Sequence, residues 1–340
     1  MTGLPAPKPM REYSGVDRRM FEEEIRPLGQ PAILRGLGAD WPAVQAAKQS
    51  DEAGVEYLLS FGQGYDVMGL MGPPEIEGHF FYNADMTGMN FGRGKVALKT
   101  FFERLLHDRN AERPHSLAVQ SEVIPKLLPG FTDANHIDLI DRAIEPRIWI
   151  GNSIRVATHF DLMENIGVVV LGRRRFTVFP PEQLSNLYMG PLELTPAGTP
   201  VSMVDLANPD LDRYPLFAEA AKHAQVAELE PGDGIYLPFH WWHAVDSLAR
   251  VNAFVNYWWN SAQPGLGKPY DALLQSLYTF RAMPDEHRAV WRMVFETFVF
   301  PETGDPVPYL PDHAKGVLGP PTPEKLERMR ATLKQMLGQL

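Results

Sequence analysis

The 340 residues contain no cysteine. That absence excludes a disulfide framework, thiolate-held zinc, iron–sulfur clusters and thiol catalysis. Any metal therefore has to be held by His, Asp or Glu, and there are ten histidines. Long apolar runs are also missing. The two most apolar, Ile166–Leu171 and Val251–Trp259, have the length of strands and fall far short of the roughly 20 residues that cross a bilayer. The opening MTGLPAPKPMREYSG has no apolar h-region of a secretory signal. A soluble, cytoplasmic protein with no membrane partner is expected. Basic charge is scarce as well: 32 Lys and Arg stand against 42 Asp and Glu, a net charge of −10. A nucleic-acid partner bound through a broad basic face is not expected.

What is present is ordinary globular composition, 44% hydrophobic and 22% charged. The length allows two domains, or one core with large additions. Proline and glycine, 31 and 28 residues, punctuate the chain into short elements. Residues 1–12 read as a loose arm, Val16–Ile25 as a short helix and Pro31–Leu37 as a strand. Trp41–Lys48 and Val96–Leu106 read as helices, with an aromatic strand at Glu77–Asn83 between them. From about residue 145 short strands dominate: Arg147–Ile150, Arg155–His159, Asn165–Leu171, Arg174–Phe179, Gln225–Leu229, Gly234–Leu237 and Arg250–Trp258. Turn signals such as Gly172-Arg173 and Pro231-Gly232-Asp233 separate them. This pattern predicts a mainly β fold with added helices, its core a double-sheet jelly roll, that is, a double-stranded β-helix. Pro191–Leu216 reads as a long insertion of the kind that serves as a lid. Past Pro264 the spacing turns helical, over about Tyr270–Phe300 and Pro323–Leu340, with Thr322 as N-cap of the last helix. The expected regions are 1–130 (α/β elements flanking the barrel), 131–264 (the jelly-roll core) and 265–340 (helical).

The sharpest chemical feature is His159-Phe160-Asp161. Residues i and i+2 of a strand share a face, so imidazole and carboxylate can point together into a barrel. A third ligand from another strand, His243, would complete a 2-His-1-carboxylate facial triad, which leaves open positions that suit non-haem Fe(II). On its own the three-residue pattern is better read as a strand-end His hydrogen-bonded to a turn Asp, and it is the surrounding residues that favour a ligand set. His240 reads as an exposed or supporting residue rather than a ligand. His79, His107, His115, His136, His223, His287 and His313 have no partner at ligand spacing. In the run Arg173-Arg174-Arg175, alternation puts Arg174 with Phe176 and Val178 on one face, so Arg174 can point inward. The cluster Trp241, Trp242, Tyr257, Trp258 and Trp259 fits core packing better than a substrate cage.

Several separated stretches carry a resemblance. They are Pro31–Gly36 with Asp40-Trp41-Pro42, Thr158-His159-Phe160-Asp161, Asn165, Gly172, Arg174, Phe179-Pro180-Pro181, Gly232-Asp233, Trp241-Trp242-His243 and Val255-Asn256. In that order, over about residues 31–260, the chain resembles the JmjC-type, cupin-fold Fe(II)/2-oxoglutarate-dependent oxygenases. The likeness is greatest to the small hydroxylase branch that includes the asparaginyl hydroxylase acting on hypoxia-inducible factor. The resemblance implies that His159, Asp161 and His243 hold Fe(II), and that Asn165 and Asn256 lie around the metal and the cosubstrate. It implies that Arg174 binds the distal carboxylate of the cosubstrate 2-oxoglutarate, where a lysine is usual. Val156 stands where that hydroxylase has threonine, and Ala118 where it has tyrosine. Three functions follow as alternatives. One is a hydroxylase of a protein side chain or small molecule. Another is a cupin-like, metal-containing binding or sensor protein without 2-oxoglutarate turnover. The third is a dioxygenase independent of 2-oxoglutarate. The apolar stripes of the C-terminal helices, with Leu273, Leu277, Phe280, Trp291, Phe295, Leu326, Met329 and Leu333, predict a homodimer.

Overall fold

The computed structural model describes residues 3–62, 64–262, 265–302 and 304–338. Seven strands precede the core: β1 (Lys8–Pro9), β2 (Arg11–Ser14), β3 (Ala32–Arg35), β4 (Asp66–Gly72), β5 (His79–Phe80), β6 (Gly92–Ala97) and β7 (Ser116–Val123). Eight follow: β8 (Arg147–Gly151), β9 (Arg155–Phe160), β10 (Glu164–Leu171), β11 (Arg174–Phe179), β12 (Gln225–Leu229), β13 (Gly234–Leu237), β14 (Trp242–Ser247) and β15 (Asn252–Trp259). Those eight divide four and four between two sheets, changing sheet at every step except β11 to β12. The larger runs β2-β3-β13-β10-β15-β8-β7-β4-β6, the smaller β1-β12-β11-β14-β9-β5. All core pairings are antiparallel, which is the predicted jelly roll.

Each sheet's sequence follows from what its two faces touch. In β11 the residues Arg174, Phe176 and Val178 are buried and Arg175 is exposed, the alternation of a strand with one wet face. Strand β10 is apolar almost throughout because both of its faces are covered. Its Val169 joins Phe176, Val178, Ile235 and Val245 inside the barrel. Its Ile166, Val168 and Val170 join a second core with Phe21, Trp41, Leu58 and Phe102 of the N-terminal elements. The N-terminal signature is structural: Arg35 pairs with Asp233 at 2.6 Å, and Gly36 N–H donates to the same carboxylate. That ties β3 to the turn entering β13.

Several N-terminal expectations are corrected. The arm 1–12 is partly ordered, because Lys8–Pro9 adds to β12 and Arg11–Ser14 adds to β3. Val16–Ile25 is a broken helix, with one α turn at Arg18–Met20 running into a π turn at Phe21–Ile25. Of Glu77–Asn83 only His79–Phe80 is a strand. The helix Asp51–Leu59 and the strands β4 and β6 were not expected from the sequence, and β14 was expected only as the strand that carries His243, without its bounds. The insertion Pro191–Leu216 lies partly against the edge of β9, where Ser202 N–H donates to Thr158 O at 2.7 Å.

The chain divides into two compact units, Met1–Asn260 and Ser261–Leu340. The N-terminal elements and the barrel thus share one unit. The second holds helices Pro269–Phe280, Asp285–Phe298 and Pro323–Leu337. Phe280 packs on Trp291 and Phe295, and the Thr322 hydroxyl caps the last helix by accepting from Lys325 N–H. The expected end of that helix at Leu340 lies outside the described residues.

Two glycines are fixed by their surroundings. Gly172 turns β10 into β11 with φ of +76°, and a Cβ there would meet Val251 O at 2.5 Å. A Cβ on Gly167 would fall 2.0 Å from the tip of the Phe254 ring. Gly167→Ala is expected to cost about 1–3 kcal/mol through overpacking, measured as a lower urea midpoint with an unchanged slope.

Candidate metal centre

Strands β9 and β14 place His159 and His243 as direct cross-strand partners, and their ring centroids lie 4.3 Å apart. Asp161 follows immediately after β9, with one carboxylate oxygen 3.7 Å from His243 Nε2. One donor atom from each of the three residues lies within 4.8 Å of the others. His159 Nδ1 is 2.9 Å from Ala157 O, and His243 Nδ1 is 3.0 Å from Trp241 O. A carbonyl only accepts, so both Nδ1 atoms carry the proton and both Nε2 lone pairs are free for a metal. Burial, reinforced by the neighbouring His243, holds the His159 pKa down to about 4, so its ring is neutral at pH 7. Two imidazoles and one carboxylate form a donor set that fits a first-row divalent ion such as Fe(II).

The carboxylate is oriented by its own partners. Trp258 Nε1 donates to Asp161 Oδ2 at 3.1 Å, and Asn165 Nδ2 donates to the same oxygen at 3.3 Å. Asn165 in turn accepts from Asn256 at 3.1 Å, and Asn256 accepts from the Trp149 indole at 2.8 Å. The amides singled out in the sequence thus form one chain ending on Asp161. The two tryptophans were missed in this role, although Trp258 stood in the aromatic cluster and its N–H was the available signal. The rest of that cluster is not a cage: Trp241, Trp242 and Tyr257 are core residues.

Arg174 points into the barrel, 5% exposed, its guanidinium 4.8 Å above the centre of the Phe254 ring. Its Nε is buried without a hydrogen-bond partner. Burial pushes the guanidinium below its ordinary value. Arg175 points the other way and pairs with Glu228. Val156 sits at the edge of the barrel core, and Ala118 is fully buried on β7. His240 stays outside the ligand group: it stacks on Phe160 at 4.1 Å, and its backbone N–H donates to Asp161 O at 3.1 Å.

A jelly roll with two histidines and an aspartate converging inside it defines a JmjC-type cupin. The family model for the cupin-like domain matches residues 18–264, and the chain belongs to that family. Among its relatives, lysine-specific demethylase JMJ31 of Arabidopsis thaliana is 26% identical over 71% of this chain and 48% of its own length. Human HSPB1-associated protein 1 is 34% identical over 39% of this chain and 27% of its own length. Mouse tRNA wybutosine-synthesizing protein 5 is 24% identical over 82% of this chain and 91% of its own. The chain thus spans about half or less of the first two. No helix among the described residues is long and apolar enough to cross a membrane.

Asp161→Ala is expected to abolish retention of a divalent metal. Trp258→Phe, which removes one donor to the ligand carboxylate, should weaken metal binding about 10–100-fold. Both effects are read by titration calorimetry with Mn(II) or Co(II).

Proposed function

We propose that this protein is an Fe(II)- and 2-oxoglutarate-dependent dioxygenase. It would hydroxylate a protein side chain or a small molecule, sending one oxygen atom into the product and the other into succinate as 2-oxoglutarate loses carbon dioxide. The observation that carries this reading is Arg174. A buried cation without an anionic partner costs free energy; Arg174 has none among the described residues and lies inside the same barrel as the candidate metal-ligand group. The carboxylate of a dicarboxylic 2-oxo acid would supply the missing partner, matched to the planar fork of arginine.

Bound iron would supply the redox chemistry of dioxygen. The chain's own residues do the rest. His159, Asp161 and His243 hold the ion, and Trp258 and Asn165 keep the Asp161 carboxylate turned toward it. Arg174 anchors the far end of the 2-oxo acid, while Phe254, Phe176 and Val178 keep that end dry. A substrate other than nucleic acid, and a cytoplasmic setting, belong to the same reading. The net charge of −10 supports the first of these, and so the tRNA in one relative's name is not carried over. The binding-protein alternative separates cleanly, because it forms no succinate.

We also propose a homodimer built on the C-terminal helices. Leu273, Leu274, Tyr278, Met293, Met329 and Leu333 are exposed on them, more apolar surface than a soluble monomer ordinarily leaves bare.

Succinate should form from 2-oxoglutarate in the presence of Fe(II) and ascorbate. Arg174→Met should raise the 2-oxoglutarate concentration needed for half-maximal turnover at least tenfold, with Arg174→Lys intermediate; equal dependence in all three proteins refutes the role. For the dimer, removal of residues 323–340 should halve the mass in light scattering, and a full-length chain already monomeric at micromolar concentration refutes it.

A further inference from the structure

The outer face of the smaller sheet encloses a second cavity, on the side of β9 and β14 opposite the metal ligands. It measures about 990 Å³, at the upper end of small-molecule sites. Its floor is the outward-facing half of β9, β11, β12 and β14, and its walls come from the N-terminal Leu4–Pro7 and from the insertion around Asp205 and Phe217. Most of the lining is apolar, including Phe179, Phe217, Val226 and Ala244.

The polar groups gather at one end. Asp246 stands directly across from Arg155 in the strand register, yet Arg155 turns to Asp205 at 3.6 Å. Arg175 is taken by Glu228. The ionisable groups lining the cavity are Arg155 and Arg175 against Glu77, Asp205, Glu228 and Asp246, a balance of two to four. Asp246 makes no close ion pair among the described residues; burial raises its pKa, and the more distant Arg155 and Arg175 act in the other direction. His79, also in the lining, is shifted toward its neutral form, first by burial. Two further polar atoms of lining residues have no hydrogen-bond partner among the described residues: Arg155 Nε, a donor, and the Oγ1 of Thr158, a residue only 1% exposed. A carboxylate without a close ion pair thus lies in a lining where acidic groups outnumber basic ones. Together with a donor and a hydroxyl that have no partner among the described residues, beside an apolar floor, it specifies a complementary ligand.

We infer that this cavity binds a small amphipathic amine: a cationic amine against Asp246, a carbonyl-type acceptor against Arg155 and Thr158, and an apolar body over Val226 and Ala244. An amino-acid amide with a branched apolar side chain has this chemistry.

Titration calorimetry on the full-length protein tests it with leucinamide and with 4-methylpentanamide, which lacks only the amine. Leucinamide should bind, and 4-methylpentanamide at least tenfold more weakly. Asp246→Asn should cut leucinamide affinity at least tenfold and leave the neutral probe unchanged. Val226→Trp, which fills the cavity without touching a charge, should abolish binding even if the Asp246 variant fails to fold. Asp161→Ala should leave binding unchanged, since the cavity lies outside the barrel. Absence of saturable leucinamide binding at millimolar concentration overturns the proposal. So does binding lost in Asp161→Ala but kept in Val226→Trp, because the amine would then sit at the metal centre.

Discussion

The antiparallel register between β9 and β14 is the constraint on which the molecule depends. It sets His159 opposite His243 and Asp246 opposite Arg155. A slip by one residue would turn one imidazole to the outer face and bring a different side chain inside. The register is held from both sides. Beyond β14, Val178 of β11 faces His243. Beside β9, β5 pairs at Arg155 and Val156, and the insertion hydrogen-bonds at Thr158. An irregularity between the His243–His159 and Val245–Val156 pairs gives β9 one extra residue between Val156 and His159, so that Val156 joins Val245 at the barrel core. One pairing therefore organises two faces, the metal-ligand group inside and the charged end of the outer cavity.

The larger sheet does a different job. Its central strands β13, β10 and β15 are buried on both faces, and the barrel wall cannot shift there without disturbing a second core formed with the N-terminal elements. The Arg35–Asp233 pair and the Trp41 indole, which donates to His136 O, fix those elements in place. Rigidity of this wall reaches the site through β10 and β15, which carry Asn165, Asn256 and Trp258.

Much of this was legible because strand alternation in the core is regular. Arg174–Phe179, Gln225–Leu229 and Gly234–Leu237 have the bounds read from their residues. The inward direction of Arg174 followed from the same alternation. The bounds of β14 escaped because His243, Asp246 and Ser247 break its apolar pattern, and those residues face the candidate sites or a neighbouring backbone. The helix Asp51–Leu59 escaped because Gly54 and its acidic residues dilute the stripe, while the tight packing of Gly54 on Leu171 and Ala47 is visible only in three dimensions. The arm 1–12 was misjudged for a related reason. Its prolines and charges look loose, but its pairing comes from backbone groups, to which side-chain composition is blind. The aromatic cluster held the opposite lesson, since its important atom was one indole N–H rather than a ring face.

Phe254 links the packing to the chemistry. Its ring lies over Gly167 on one side and under the Arg174 guanidinium on the other. The positive charge is thus set on an aromatic face, which offers a weak substitute for an anion. On the proposed reading, a carboxylate guest would offset the cost of burying that charge, so folding and occupancy would be thermodynamically linked. The lifetime of the folded chain would then rise with the concentration of whichever carboxylate fits, making the resting protein a reporter of that metabolite even when no substrate is turned over.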